Sequence, residues 1–121
     1  MAISPPSDQD FYSTMRQLKW SSKEKAIARR CFDRALQRKL DEAIQSAKEM
    51  AKNIKHASEL WELERHLTQL RKEIDCKYEY KYSTLVLVFA DLVREGKVDP
   101  EDLRGLSEDK LRYIRQHAEA A

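Results

Sequence analysis

A chain of 121 residues, 36% charged and 41% hydrophobic with only two glycines and three prolines, has the make-up of one helical domain with solvated faces, and no strand is expected. Its net charge of +2 hides a split: residues 1–58 carry twelve Lys and Arg against seven acids, residues 59–121 eleven against fourteen, so the halves stand at +5 and −3. Such a split favours docking of unlike surfaces and speaks against nucleic acid as a partner, because phosphates need a net basic face.

Residues 1–19 mix Ser, Pro, Asp and Gln with scattered aromatics, and Pro5-Pro6 blocks a helix start. A flexible N-terminal arm is expected there, with a short amphipathic turn through Phe11, Tyr12, Met15 and Leu18 as the alternative. Ser21-Ser22-Lys23-Glu24 fits a capping box, in which a Ser hydroxyl and a Glu carboxylate close free amides at a helix start. No Gly or Pro follows until well past residue 55, and Phe32, Leu36, Leu40, Ala43, Ala47, Met50 and Ile54 recur at threes and fours. A helix this long exceeds what a compact domain of this size needs, so part of it is expected to pack on another copy. Its first half is basic, with Arg30, Arg34 and Arg38 at steps of four. Cations near a helix N-terminus oppose the macrodipole, so helix stability does not account for them. A solvated face and an acidic partner surface both do.

His56-Ala57-Ser58 reads as a break, with Ser58 as N-cap of a second helix running to about Glu79. The link suits a hairpin or one bent rod. In this helix Leu60, Leu63, Leu67, Leu70, Ile74 and Tyr78 form an apolar stripe suited to burial. A second line, Trp61, Glu64, Thr68, Arg71 and Asp75, has the same stepping and flanks the first. Either Trp61 covers the long helix and Arg71 pairs with Asp75 one turn on, or the line is an interface, since Trp and Arg are enriched at energetic hot spots.

After the aromatic connector Tyr78-Glu79-Tyr80-Lys81-Tyr82-Ser83, the run Leu85-Val86-Leu87-Val88-Phe89-Ala90 could be a buried strand. Asp91, Arg94 and Glu95 resume helical amphipathicity and Gly96 suits a C-terminal left-handed position, so a helix enclosed on most sides is expected. Asp99-Pro100 pairs an N-cap with proline at the first helical position of a single turn that Gly105 ends. A last helix from Ser107 would turn Leu106, Leu111 and Ile114 to the apolar helix and leave Arg112, Tyr113 and Arg115 outside. The expected architecture is all-α: an arm (1–19), then one helical domain (20–121) made of dimerisation helices (20–79) and a small C-terminal head (80–121).

No catalytic site is legible. Two glycines make no phosphate-cradling loop, and His56, His66 and His117 lie in no ligand motif. Glu62 and His66 are one turn apart, but two ligands do not make a metal site. Cys31 and Cys76 have no metal or redox spacing and are read as reduced thiols, one buried on each helix. The longest uncharged run, Tyr82 to Ala90, falls far short of the roughly 20 residues of a membrane helix, so a cytoplasmic protein without a transmembrane segment is expected.

Leu60-Trp61-x-Leu63, Arg71-x-Glu73-Ile74-Asp75-x-Lys77-Tyr78, Ser83, the run ending Val88-Phe89-Ala90, Glu95-Gly96 and Asp109-Lys110 together resemble the fluorescence recovery protein family of cyanobacteria, over about Trp20 to Gln116. The resemblance implies an all-helical homodimer built by long helices, each subunit ending in a helical head. Its members bind the photoactivated orange carotenoid protein, mainly at that protein's C-terminal domain, and speed its red-to-orange relaxation, which ends quenching of phycobilisome fluorescence. No bond is made and no cofactor is needed. The implied setting is the cytoplasm, at most peripheral to the cytoplasmic side of thylakoid membranes. Trp61 and Arg71 match family positions in a functional patch at the dimer interface, which would also include Glu64, Arg65, Thr68 and Asp75. Glu64-Arg65 stand where the family places His-Asp, and Leu87 and Tyr113 align with a phenylalanine and a lysine of the head linked to carotenoid-protein binding. These departures leave open a fluorescence-recovery-like dimer with a different protein partner.

Overall fold

The computed structural model describes residues 14–119, and among them there are helices and no strand. Helix α1 (Ser22–Lys52) starts on the expected capping box: Ser21 Oγ accepts the Glu24 N–H at 3.1 Å and Glu24 Oε1 accepts the Ser21 N–H at 3.0 Å. A short turn leads into α2 (Ala57–Lys77), which begins at Ala57 with His56 in the cap position. The cap is therefore two residues earlier than Ser58. Glu59 decides it, since its Oε1 accepts the N–H groups of His56 (3.1 Å) and Lys55 (3.3 Å) and closes the first turn.

The two helices form a hairpin. Ser46 Oγ of α1 faces His66 Nε2 of α2 at 3.5 Å, and Leu40 and Ala43 share a groove with Leu67 and Leu70. The connector then carries the chain back to the start of α1, where α3 (Leu85–Arg94), a 3₁₀ turn (Pro100–Leu103) and α4 (Glu108–Glu119) build the head. The hydrophobic run is a helix as expected. Gly96 has φ +74° and its N–H bonds to Val93 O (3.0 Å), while Lys97 N–H reaches Leu92 O (2.8 Å), a Schellman ending that only a residue tolerant of positive φ completes without strain. Asp99 Oδ1 caps the 3₁₀ turn through the Glu101 N–H at 3.0 Å.

Burial is uneven. Met15, Leu85, Val86, Phe89, Leu92 and Leu103 are almost wholly enclosed, and burying each such side chain is worth about 1.5–3 kcal/mol. On α1 the buried positions run from Glu24 to Ala35 and then stop; on α2 there are none. The core thus lies between the head and the first half of α1, and the rest of the hairpin projects from it. Residues 14–17 make a helical turn with Met15 in the core, while residues 1–13 of the expected arm lie outside the described residues.

Polar staples fix the head to α1 and α2. Cys31 Sγ donates to Asp102 O (3.1 Å) and Arg38 Nη1 to Lys97 O (3.0 Å), while Lys77 pairs with Glu95 and Lys97 with Glu42. Lys110 is buried and donates to Glu24 Oε2 (2.9 Å) and Lys19 O (2.6 Å); the Ser107 N–H donates to the same carboxylate oxygen at 2.9 Å. Tyr78, buried at the junction, packs edge-on to Phe32, and its hydroxyl has no hydrogen-bond partner among the described residues. Burial first, then the nearby Glu95 and Glu42 carboxylates, push its phenol up to about 12.

Candidate functional site

The apolar stripe of α2 is not enclosed. Of the six residues expected to be buried, only Tyr78 is; Leu63, Leu70 and Ile74 are half-buried, and Leu60 and Leu67 are 47% and 40% exposed. The reason is geometric. One facing helix covers only part of an apolar stripe, and here the head covers only the end near Tyr78. On α1, Leu40 and Ile44 are exposed too, the latter at 48%, so both helices contribute to one apolar surface.

The flanking line borders this surface. Trp61 stands 59% exposed and does not cover α1. Glu64 Oε1 accepts from Thr68 Oγ1 at 3.2 Å, and both side chains are exposed, as is Arg65 one step further round the helix. Arg71 and Asp75 are exposed, and no ion pair joins them among the described residues. Instead they share a groove of about 320 Å³ with Leu40, Ala43, Leu67, Leu70 and Ile74. The structure therefore brings five of the six candidate patch residues of α2 to one helix flank, with charge beside open apolar surface. The apolar part is unfavourable in water, and with solvated charges at its border the face is well suited to a second protein surface.

The two head residues are placed differently. Leu87 is half-buried on α3, and Tyr113 is half-buried on α4, packed against the core and so less exterior than expected. They are not on the flank of α2. What the periodicity missed is Ile44, which the four-residue step from Leu40 would have found, and the Glu24–Lys110 pair, whose partners lie 86 positions apart. No group of three or more His, Cys, Asp or Glu side chains among the described residues could hold a metal, and His66 faces Ser46. No helix among them is long and apolar enough to cross a membrane.

Comparison with known proteins agrees with this architecture. The family profile described as "Photoprotection regulator fluorescence recovery protein" matches residues 20–118. The fluorescence recovery protein of Synechocystis sp. PCC 6803 is 38% identical over 96 residues, which span 79% of this chain and 88% of that protein. The solved structure of the Fremyella diplosiphon fluorescence recovery protein superposes with a TM-score of 0.78 at 37% identity, covering 83% of this chain and 98% of that one; the Synechocystis structure gives the same values. The chain belongs to the fluorescence recovery protein family of photoprotection regulators.

Proposed function

We propose that the chain is a dimeric regulator that binds the photoactivated orange carotenoid protein and accelerates its red-to-orange relaxation, ending quenching of phycobilisome fluorescence. The observation that carries this reading is the open face of α2, a 21-residue helix with no buried residue inside a family of photoprotection regulators. Two copies pairing about a two-fold axis would place the apolar positions of α1 and α2 against their equivalents and bring Arg71 of one subunit within reach of acids of the other. Trp61, Arg71 and Asp75, with Glu64, Arg65 and Thr68, then form a patch at or beside the seam, and Leu87 and Tyr113 mark a contact on the head. The work done is tighter binding of the transition state of the partner's relaxation than of its photoactivated form, with no covalent step.

Adding the purified protein to photoconverted carotenoid protein and following the colour decay tests this directly. A faster decay is expected; an unchanged rate overturns it. A second reading keeps the dimer and changes the partner. Glu64 favours it, because its carboxylate is already held by Thr68 of its own chain, next to Arg65, where the family pattern has His-Asp.

A further inference from the structure

A row of aromatic rings runs along the start of α1. Trp20 and Tyr82 have centroids 5.6 Å apart, Tyr82 and Tyr80 5.4 Å at 73°, and Tyr80 and Phe32 5.0 Å at 82°. Phe32 is core, but the row surfaces as it leaves it: Tyr80 is half-buried and Tyr82 is 38% exposed. Cations lie on the rings. Arg29 Cζ sits 4.6 Å from the Tyr80 centroid and Lys25 Nζ 5.3 Å from that of Tyr82. Lys110, 4.8 Å from Trp20, is consumed by Glu24; Lys25 and Arg29 are not used up in this way. Lys25 has no ion pair among the described residues, and Arg29 only an exposed one with Asp33 at 3.3 Å. Exposed Lys19 and Lys81 adjoin Trp20 and the tyrosines in sequence, against one further exposed acid, Glu79.

We propose that this row of rings and cations is a second docking surface, and that it takes a carboxylate-bearing face of the regulated protein partner. The proposal rests on the reading of the chain as a regulator that works by binding a protein. Three observations carry it. The charges are complementary to acids, and only the exposed Arg29–Asp33 pair offsets any of them among the described residues. The rings hold the two cations in place before any partner arrives, which lowers the ordering cost of binding. Third, the row continues into the apolar surface of the hairpin: Arg29, Asp33, Leu36, Leu40 and Ile44 follow one another on α1 at steps of four and three, and Leu40 and Ile44 are exposed. Nucleic acid fits less well, since Arg29 and Lys25 already occupy ring faces that bases would need for stacking.

The test compares two charge-matched double variants of the full chain. Lys25→Glu with Arg29→Glu removes the row's cations. Lys48→Glu with Lys55→Glu changes the net charge equally at the far end of the hairpin, where neither lysine side chain makes an ion pair among the described residues. Titrated against photoactivated orange carotenoid protein at fixed salt, the first is expected to bind about tenfold more weakly and the second within about threefold of wild type. Lys25→Gln with Arg29→Gln, which adds no repulsion with Asp33, should show a smaller loss in the same direction. Equal losses in both charge-reversed variants would reduce the effect to diffuse electrostatics and overturn the proposal, as would wild-type binding by the first. A change of oligomeric state in the first variant alone would assign the row to a second copy instead. Displacement of the partner by single-stranded DNA in wild type but not in the first variant would assign it to nucleic acid. If wild type itself does not bind, the regulator reading fails and takes this surface with it; if wild type binds and the variants do not differ, only the surface fails.

Discussion

The Glu24 carboxylate is enclosed beside the start of α1, and burial alone would raise its pKa. The Ser21 N–H, the Lys110 ammonium and the Ser107 N–H outweigh that and hold it at about 2, below the ordinary 4.5. A depressed folded value means that the stabilisation is complete above pH 4.5 and is lost as pH falls from 4.5 towards 2, about 3 kcal/mol in all. Thermal melts across that window should fall steeply for wild type and more gently for Glu24→Gln, which starts lower at neutral pH. Gly105 gives a second expectation. It has φ +109°, and a Cβ placed there would lie 2.5 Å from Ile27 Cδ1, so Gly105→Ala should cost about 1–3 kcal/mol in denaturant titrations without abolishing the fold. At Tyr78 the sign reverses: removing a buried, unpartnered hydroxyl should leave Tyr78→Phe as stable as wild type or about 1 kcal/mol more so. At this scale the sequence is readable where a signal is local. Ser21, Gly96 and Asp99-Pro100 announce their roles within four residues. Nothing near Glu24 announces Lys110, and nothing near Gly105 announces Ile27, because those contacts exist only once the head has folded onto α1.

Among the elements, α2 is where pattern and structure diverge most usefully. Its three-and-four stepping identifies a helix with one apolar stripe, and the helix is there; whether a stripe is covered depends on what else arrives, which periodicity does not encode. Within one chain, only α1 and the edge of the head arrive. The flank was legible as a set, since Trp61, Glu64, Thr68, Arg71 and Asp75 share a side in the structure as in the spacing, but the exposure of Trp61 and the separation of Arg71 from Asp75 were not. In the dimer reading, Leu67→Glu puts a charge into the seam and should weaken self-association by about tenfold to a hundredfold in sedimentation equilibrium. The far-ultraviolet helical signal, measured well above the dissociation constant, should change little. Arg71→Ala should weaken both dimer and partner effect if the guanidinium pairs across the axis; an unshifted dimer in size-exclusion chromatography would rule out that pairing.

The molecule as a whole combines a dense head with a thin hairpin. Sequence alone left a hairpin and a bent rod equally open, because a three-residue break permits both; the Ser46–His66 approach and the shared Leu40–Leu67 groove mark the hairpin. Cooperativity should follow the same division. Amides of α2 have no buried side chains above them, so in the dimer reading their hydrogen exchange should quicken as the protein is diluted, while amides of α3 and of the first half of α1 keep nearly constant protection. An apparent melting temperature that rises with concentration would accompany this.

The placement of the two thiols turns the chain into its own stopwatch. Cys76, expected to be buried, is exposed on α2 because nothing among the described residues covers that side of the helix, whereas Cys31 is buried, donates to the Asp102 carbonyl and has its thiol pushed up by that burial. A maleimide added in excess should therefore modify Cys76 at mixing and Cys31 only when the 3₁₀ turn lifts from α1. The slow phase then reads the frequency of head opening in an unmodified sequence, and its change on adding a partner would report whether that partner grips the head shut or pries it loose.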